Sequence, residues 1–146
     1  MRHPTSLIGV TFLLFVVAVQ SGYAATSPIL ELERRGLSTS LILLIHAYTQ
    51  DAASLDHVRK AVRAIDEFRD ADLLVPELPF GMFSMASSTD VVAKLLHLID
   101  ATWEQRAATG KPYARIVLVG HSIGGLFARK VYAAACGENA DNTVRA

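Results

Sequence analysis

Residues 115–129 read RIVLVGHSIGGLFAR, and this stretch decides the fold. RIVLV at 115–119 is a short unbroken apolar run, rich in β-branched residues, of the kind buried on both faces of a parallel sheet. Residues 123–135 are expected to form a helix, with Gly137 standing where a C-terminal cap glycine belongs. Between strand and helix lies Gly120-His121-Ser122-Ile123-Gly124, a G-x-S-x-G pattern extended by Gly125. With glycine and serine each at about 7% of residues, chance supplies that pattern about once in twenty chains of this length. Spacing alone therefore carries little weight, and the setting carries more. A buried strand ends one residue earlier and a helix opens just after, which places Ser122 on a sharp, strained strand-to-helix turn. Side chains two residues before and after such a serine would collide with neighbouring backbone, and Gly120 and Gly124 supply none. Gly125 is expected to let the helix approach the sheet. The helix N-terminus aims its unpaired N–H groups at the serine. The competing interpretation is a glycine-rich turn with an incidental serine. A dinucleotide fingerprint is less favoured, because Ser122 occupies its second glycine position. Neither a P-loop nor an H-E-x-x-H zinc motif occurs.

Working outward, strand and helix signals alternate. LILLI at 41–45 is another doubly buried strand. Ser54 is placed to cap a following helix, whose stripe is Val58, Ala61, Val62, Ile65 and Phe68. DLLV at 72–75 is a second strand, stopped by Pro76 and Pro79. Ser87 with Asp90 forms a capping-box signature for a helix with stripe Val92, Leu95, Leu96, Ile99 and Trp103, ended by Gly110-Lys111-Pro112. Residues 29–37 fit either an edge strand or a short helix. This alternation predicts an α/β fold, a three-layer αβα sandwich with a parallel sheet and right-handed crossovers.

Composition narrows the function classes. The 146 residues are 51% hydrophobic and 19% charged, which excludes a disordered chain. Fourteen basic and fourteen acidic residues cancel, so no basic field exists to attract nucleic acid. Cys136 is the single cysteine. It is read as a small buried helix-packing residue, or else as a thiol with a partner further along the chain. No metal site and no cofactor are expected. At the amino end, Arg2 precedes the apolar run LIGVTFLLFVVAV at 7–19, and Gly22 and Ala24 are small residues at a cut site. Residues 1–24 are therefore read as a signal peptide cleaved after Ala24, giving an exported (secreted or periplasmic) protein. The alternative is an uncleaved membrane anchor, although the run is shorter than the about 20 apolar residues of a comfortable span. Residues 25–37 are a linker or edge element, and 38–146 the folded domain.

Residues 41–51 (LILLIHAYTQD) and 115–129 together resemble the α/β-hydrolase family, in its lipase and esterase branch. The resemblance covers about residues 38–137 and makes this chain similar to the amino-terminal part of such a hydrolase, a truncated α/β-hydrolase fold. It implies an ester hydrolase with Ser122 as nucleophile. The backbone N–H groups of Tyr48 and Ile123 would form the oxyanion hole, and a small-molecule or lipid ester would be the substrate. Where the family has His-Gly, this chain has His46-Ala47. Alanine would strain the loop if that position needs a positive φ. The family's order of nucleophile, acid, histidine requires a histidine after Ser122. The five histidines, His3, His46, His57, His97 and His121, do not include one, and Asp141 comes too early for the acid. His46 resembles the family's structural loop histidine, and His121 should point away from Ser122. The chain is accordingly read as a fragment, a truncated product or an inactive relative. In the last case it would be an exported or membrane-anchored binding protein. The loop carrying Phe80, Met82, Phe83 and Met85 either lines an acyl pocket or is ordinary core.

Overall fold

The computed structural model describes residues 31–78 and 87–137. Residues 1–24, read as a signal peptide, the loop with Phe80, Met82, Phe83 and Met85, His3 and Asp141 lie outside the described residues. In chain order the elements are β1 (Glu31–Glu33), β2 (Ser40–Ile45), α1 (Asp56–Ala64), β3 (Asp72–Val75), α2 (Ser88–Ala107), β4 (Arg115–Gly120) and α3 (Ile123–Ala135). Two 3₁₀ turns, Ala52–Leu55 and Asp66–Phe68, flank α1. The class is α/β.

The four strands lie in the order β1-β3-β2-β4. β2 is parallel to both β3 and β4, whereas β1 runs antiparallel to β3. The sheet is thus mixed rather than parallel throughout. The segment at 29–37 that fitted two descriptions contributes an antiparallel edge strand. β2 is buried along its whole length because alternate residues face opposite helical layers. Leu41, Leu43 and Ile45 join Leu74 against α2 and α3, through Val92, Leu95, Ile99, Phe127 and Val131. Ile42 and Leu44 join Leu73, Val75 and Val117 against Leu55, Val62 and Phe68. Each such side chain taken fully out of water contributes roughly 1.5–3 kcal/mol before entropy is counted. That difference explains why LILLI tolerates no polar position.

The helices differ from expectation in detail. α1 ends at Ala64, and Ile65 turns extended, so the anticipated stripe breaks there. Val62 and Phe68 are buried, but Ala61 and Ile65 are exposed. The cap ahead of α1 belongs to Asp51, whose carboxylate accepts the N–H of Ser54 at 2.9 Å; Ser54 does not cap α1. At α2 the capping signature holds, with the Asp90 N–H donating to Ser87 Oγ at 3.1 Å. Gly137 takes a φ of 76° just past α3. Cys136 is exposed, not packed; it is the residue just past the end of α3. Among the described residues no helix is long and apolar enough to cross a membrane.

A polar cluster closes the amino-terminal end of the sheet. Asp72 is fully buried and accepts from Tyr113 Oη at 2.7 Å and from the N–H groups of Arg35 and Gly36 at 2.8 and 3.0 Å. Arg106 lies 3.9 Å from the same carboxylate and spends its other donors on the carbonyls of Gly36, Ser38 and Lys111. Burial raises the Asp72 pKa, but the Tyr113 hydroxyl, the two N–H donors and Arg106 outweigh it and hold the carboxyl below its ordinary value. Burial, then the hydrogen bond to the Asp72 carboxylate, pushes the Tyr113 hydroxyl far above the usual phenol range.

Candidate active site

The chain moves from β2 to β3 in one direction and then crosses back over β2 to reach β4. Right-handed crossovers running in opposite directions place their helices on opposite faces. α1 and α2 do lie on opposite faces. The strand order therefore reverses between β2 and β4, and the crevice beyond their carboxyl ends is the place where open α/β sheets bind ligands. Ile45 pairs with Gly120, so the loops leaving the two strands start side by side. One carries Tyr48 and the other Ser122.

Ser122 occupies the turn between β4 and α3 and is exposed. Its backbone lies at φ 54°, ψ −121°, outside the regions that L-residues prefer. Serine at a helix N-cap ordinarily accepts a hydrogen bond from the first turn. Ser122 makes no such bond. The side chain therefore carries the cost of a left-handed φ without the stabilisation that usually brings serine to this position.

The flanking glycines are required by space. A Cβ on Gly120 would sit 2.3 Å from both the carbonyl carbon of Gly124 and the nitrogen of Gly125. A Cβ on Gly124 would sit 2.4 Å from the carbonyl oxygen of Ile45 and 2.9 Å from that of His46. The close approach of α3 to the sheet, expected of Gly125, is thus made by Gly124. Ile123 opens α3, so its N–H has no carbonyl one helical turn behind it, whereas the N–H groups of Gly124 and Gly125 donate to the carbonyls of His121 and Ser122, both at 2.9 Å.

Residues 47–50 form a tight turn, closed by the Gln50 N–H donating to the carbonyl of Ala47 at 3.2 Å. Tyr48 stands on it, about half exposed at 47%. Ala47 is not a positive-φ residue; that role falls to Thr49, at φ 58°. Alanine is therefore accommodated where the resemblance led to glycine, and the strain moves two residues on. Thr49 and Ser122 are the two non-glycine residues with positive φ among the described residues, and they stand in the loops leaving the paired strands β2 and β4.

The described histidines do not provide a base. His46 is fully buried; its Nε2 accepts the Leu78 N–H at 3.0 Å, so its Nδ1 carries the proton and donates to the carbonyl of Ala47, also at 3.0 Å. It ties the loop after β2 to the end of β3. His121 turns its ring toward Gln50, with Nδ1 3.1 Å from Oε1. His57 and His97 are exposed on α1 and α2. Among the described residues no three His, Cys, Asp or Glu side chains converge to hold a metal. Thr49 and Gln50 were missed in the sequence. An A-Y-T-Q turn lacks the Gly or Asn that marks a left-handed position.

Comparisons with protein-family models, with curated proteins and with solved structures find no match to this chain.

Proposed function

We propose that the protein is an α/β-hydrolase-type serine hydrolase of carboxylic esters, with Ser122 as its nucleophile. One observation carries the reading: an exposed serine in a strained backbone conformation, free of any capping bond, at the strand-to-helix turn beside the topological switch point. In the proposed reaction Ser122 Oγ bonds to the ester carbonyl carbon, and the carbonyl oxygen becomes an oxyanion. The N–H groups of Ile123 and Tyr48 stabilise that charge as it forms. Collapse of the adduct expels the alcohol and leaves an acyl-serine, which water then cleaves. The base that takes the hydroxyl proton, and the acid that orients it, come from outside the described residues in this reading. Phe80, Met82 and Phe83 would contribute the apolar acyl pocket. No cofactor enters this chemistry.

Export belongs to the same proposal. Amino-terminal sequencing of the protein recovered from its host should find Ala25 first; retention of residues 1–24 favours the anchored form.

A second reading, a non-catalytic binding protein that keeps the fold, draws on the absence of a hydrogen bond between Ser122 and any described histidine. A fluorophosphonate probe separates the two. The hydrolase reading expects a covalent adduct on the peptide containing Ser122 in the host-derived protein and none in Ser122→Ala. An unlabelled host-derived protein overturns it in favour of binding.

A further inference from the structure

Resting on the reading of Ser122 as nucleophile, we infer that Gln50 is a positioning residue, whose side-chain amide clamps the turn that carries Tyr48 to the elbow that carries Ser122. Three devices join these two loops. The His121 N–H donates to the carbonyl of Ile45 at 2.9 Å. Gly124 lets α3 touch the carbonyls of Ile45 and His46. His121 Nδ1 donates to Gln50 Oε1 at 3.1 Å. The first two fix where the loops begin, and only the third reaches the far end of the turn beyond Tyr48.

Gln50 is suited to that task because its backbone and side chain act on different partners. Its N–H closes the turn onto Ala47, while its Oε1 lies 3.3 Å from Ser54 Oγ, whose one proton goes to a nearer carbonyl. Ser54 is itself tied to Asp51, its Oγ donating to the Asp51 carbonyl at 2.6 Å. The residue is therefore held in the turn by its backbone N–H, and its Oε1 is left to His121. The strained Thr49 lies between Tyr48 and Gln50, so a turn released from His121 would be free to relax its left-handed residue. Relaxation would rotate the peptide whose N–H is meant for the oxyanion. Donors aimed at developing charge matter in the transition state and little in the initial complex. The sequence position next to the nucleophile thus has a purpose of its own: His121 anchors the opposite wall.

The test is fluorophosphonate inactivation of host-derived and variant protein, resolved into a binding constant and a maximal inactivation rate. Gln50→Leu keeps the volume and removes the acceptor. It should lower the maximal rate on the order of tenfold while the binding constant stays within about twofold. Gln50→Glu keeps an acceptor oxygen and should hold the rate within about threefold of the parent. A merely structural role would lower the melting temperature in both variants without separating rate from binding. A Gln50→Leu rate equal to that of a normally labelled parent overturns the inference alone. An unlabelled parent overturns the nucleophile reading and the inference with it. Independently of labelling and of the variants' folding, ring ¹⁵N shifts should show His121 protonated at Nδ1. Protonation at Nε2 instead overturns the clamp.

Discussion

Replacing Gly124 with alanine tests the geometry that holds Ser122 in place. The added Cβ would lie 2.4 Å from the carbonyl oxygen of Ile45, 2.9 Å from that of His46 and 3.0 Å from the Ile45 carbonyl carbon. All three are backbone atoms of the end of β2 and the loop leaving it, and Ile45 and His46 are fully buried, so no flexible side chain can yield. Restoring ordinary contact requires α3 to retreat by roughly 1 Å. Such a gap forfeits a quarter to a half of each dispersion contact along the helix. Here those contacts are made by Phe127, Ala128, Val131 and Ala134. Overpacking against rigid neighbours costs about 1–3 kcal/mol, and a backbone-to-backbone clash belongs at the upper end. For a domain of this size about 3 kcal/mol lowers the melting temperature by roughly 10–20 °C. Thermal unfolding of Gly124→Ala beside Gly137→Ala is the assay. A Cβ on Gly137 meets nothing within 4 Å, so its cost is only that of a left-handed alanine, about 1–2 kcal/mol. Equal melting temperatures for the two variants, or a Gly124→Ala variant as stable as the parent, would refute the close approach of α3 to β2.

Ser122→Gly should raise stability by about 1 kcal/mol, measured by urea unfolding, because glycine adopts the observed φ freely, and should abolish fluorophosphonate labelling. Thr49→Asn should gain about 0.5–1 kcal/mol in the same measurement, since asparagine tolerates the left-handed region better than a β-branched residue. Asp72→Asn should cost about 3 kcal/mol, because it leaves Arg106 without its countercharge and, with Oδ1 kept for the two N–H donors, turns an NH2 toward Arg106 and the Tyr113 hydroxyl. Urea midpoints against pH should fall at both extremes. The contribution of Asp72, whose pKa is lowered on folding, is complete above the ordinary 3.8 and fades as pH drops through the lower folded value. That of Tyr113, whose pKa is raised, is complete below 10.0 and fades as pH climbs toward the higher folded value, a loss that Tyr113→Phe should remove.

What the sequence disclosed, and what it hid, follows from the range of the forces involved. β2, β3 and β4 were legible because burial on both faces writes a continuous apolar run, and the Ser87 cap because its donor lies three residues away. The tight strand-to-helix turn was legible because only glycine fits at 120 and 124. β1 was ambiguous because three residues pairing with β3 leave no periodicity of their own. The end of α1 was misplaced because Ile65 continues the apolar spacing, yet its extended backbone breaks the helix. Cys136 was misjudged because its type says buried, while its place just past the end of α3 leaves it exposed. The Gln50–His121 contact spans 71 positions, and neither residue departs from ordinary loop chemistry.

The two ends of the sheet are built on opposite principles. At the amino ends every partner of Asp72 is supplied: a hydroxyl, two N–H groups and a guanidinium that is itself satisfied by three carbonyls. That cluster is costly to disturb. At the carboxyl ends of β2 and β4 the chain instead holds Thr49 and Ser122 in conformations that each cost about 1–2 kcal/mol. Glycine at either position would remove the cost without touching the core. Strain of this kind persists where the surrounding structure over-determines it. Here the surroundings are Gly120, Gly124 and the bond from His121 to Ile45. A fold selected for stability alone would have relaxed these two residues first. Both stand in the loops leaving adjoining strands, on either side of the point where the strand order reverses, and that is what directs the search for chemistry to this end of the sheet.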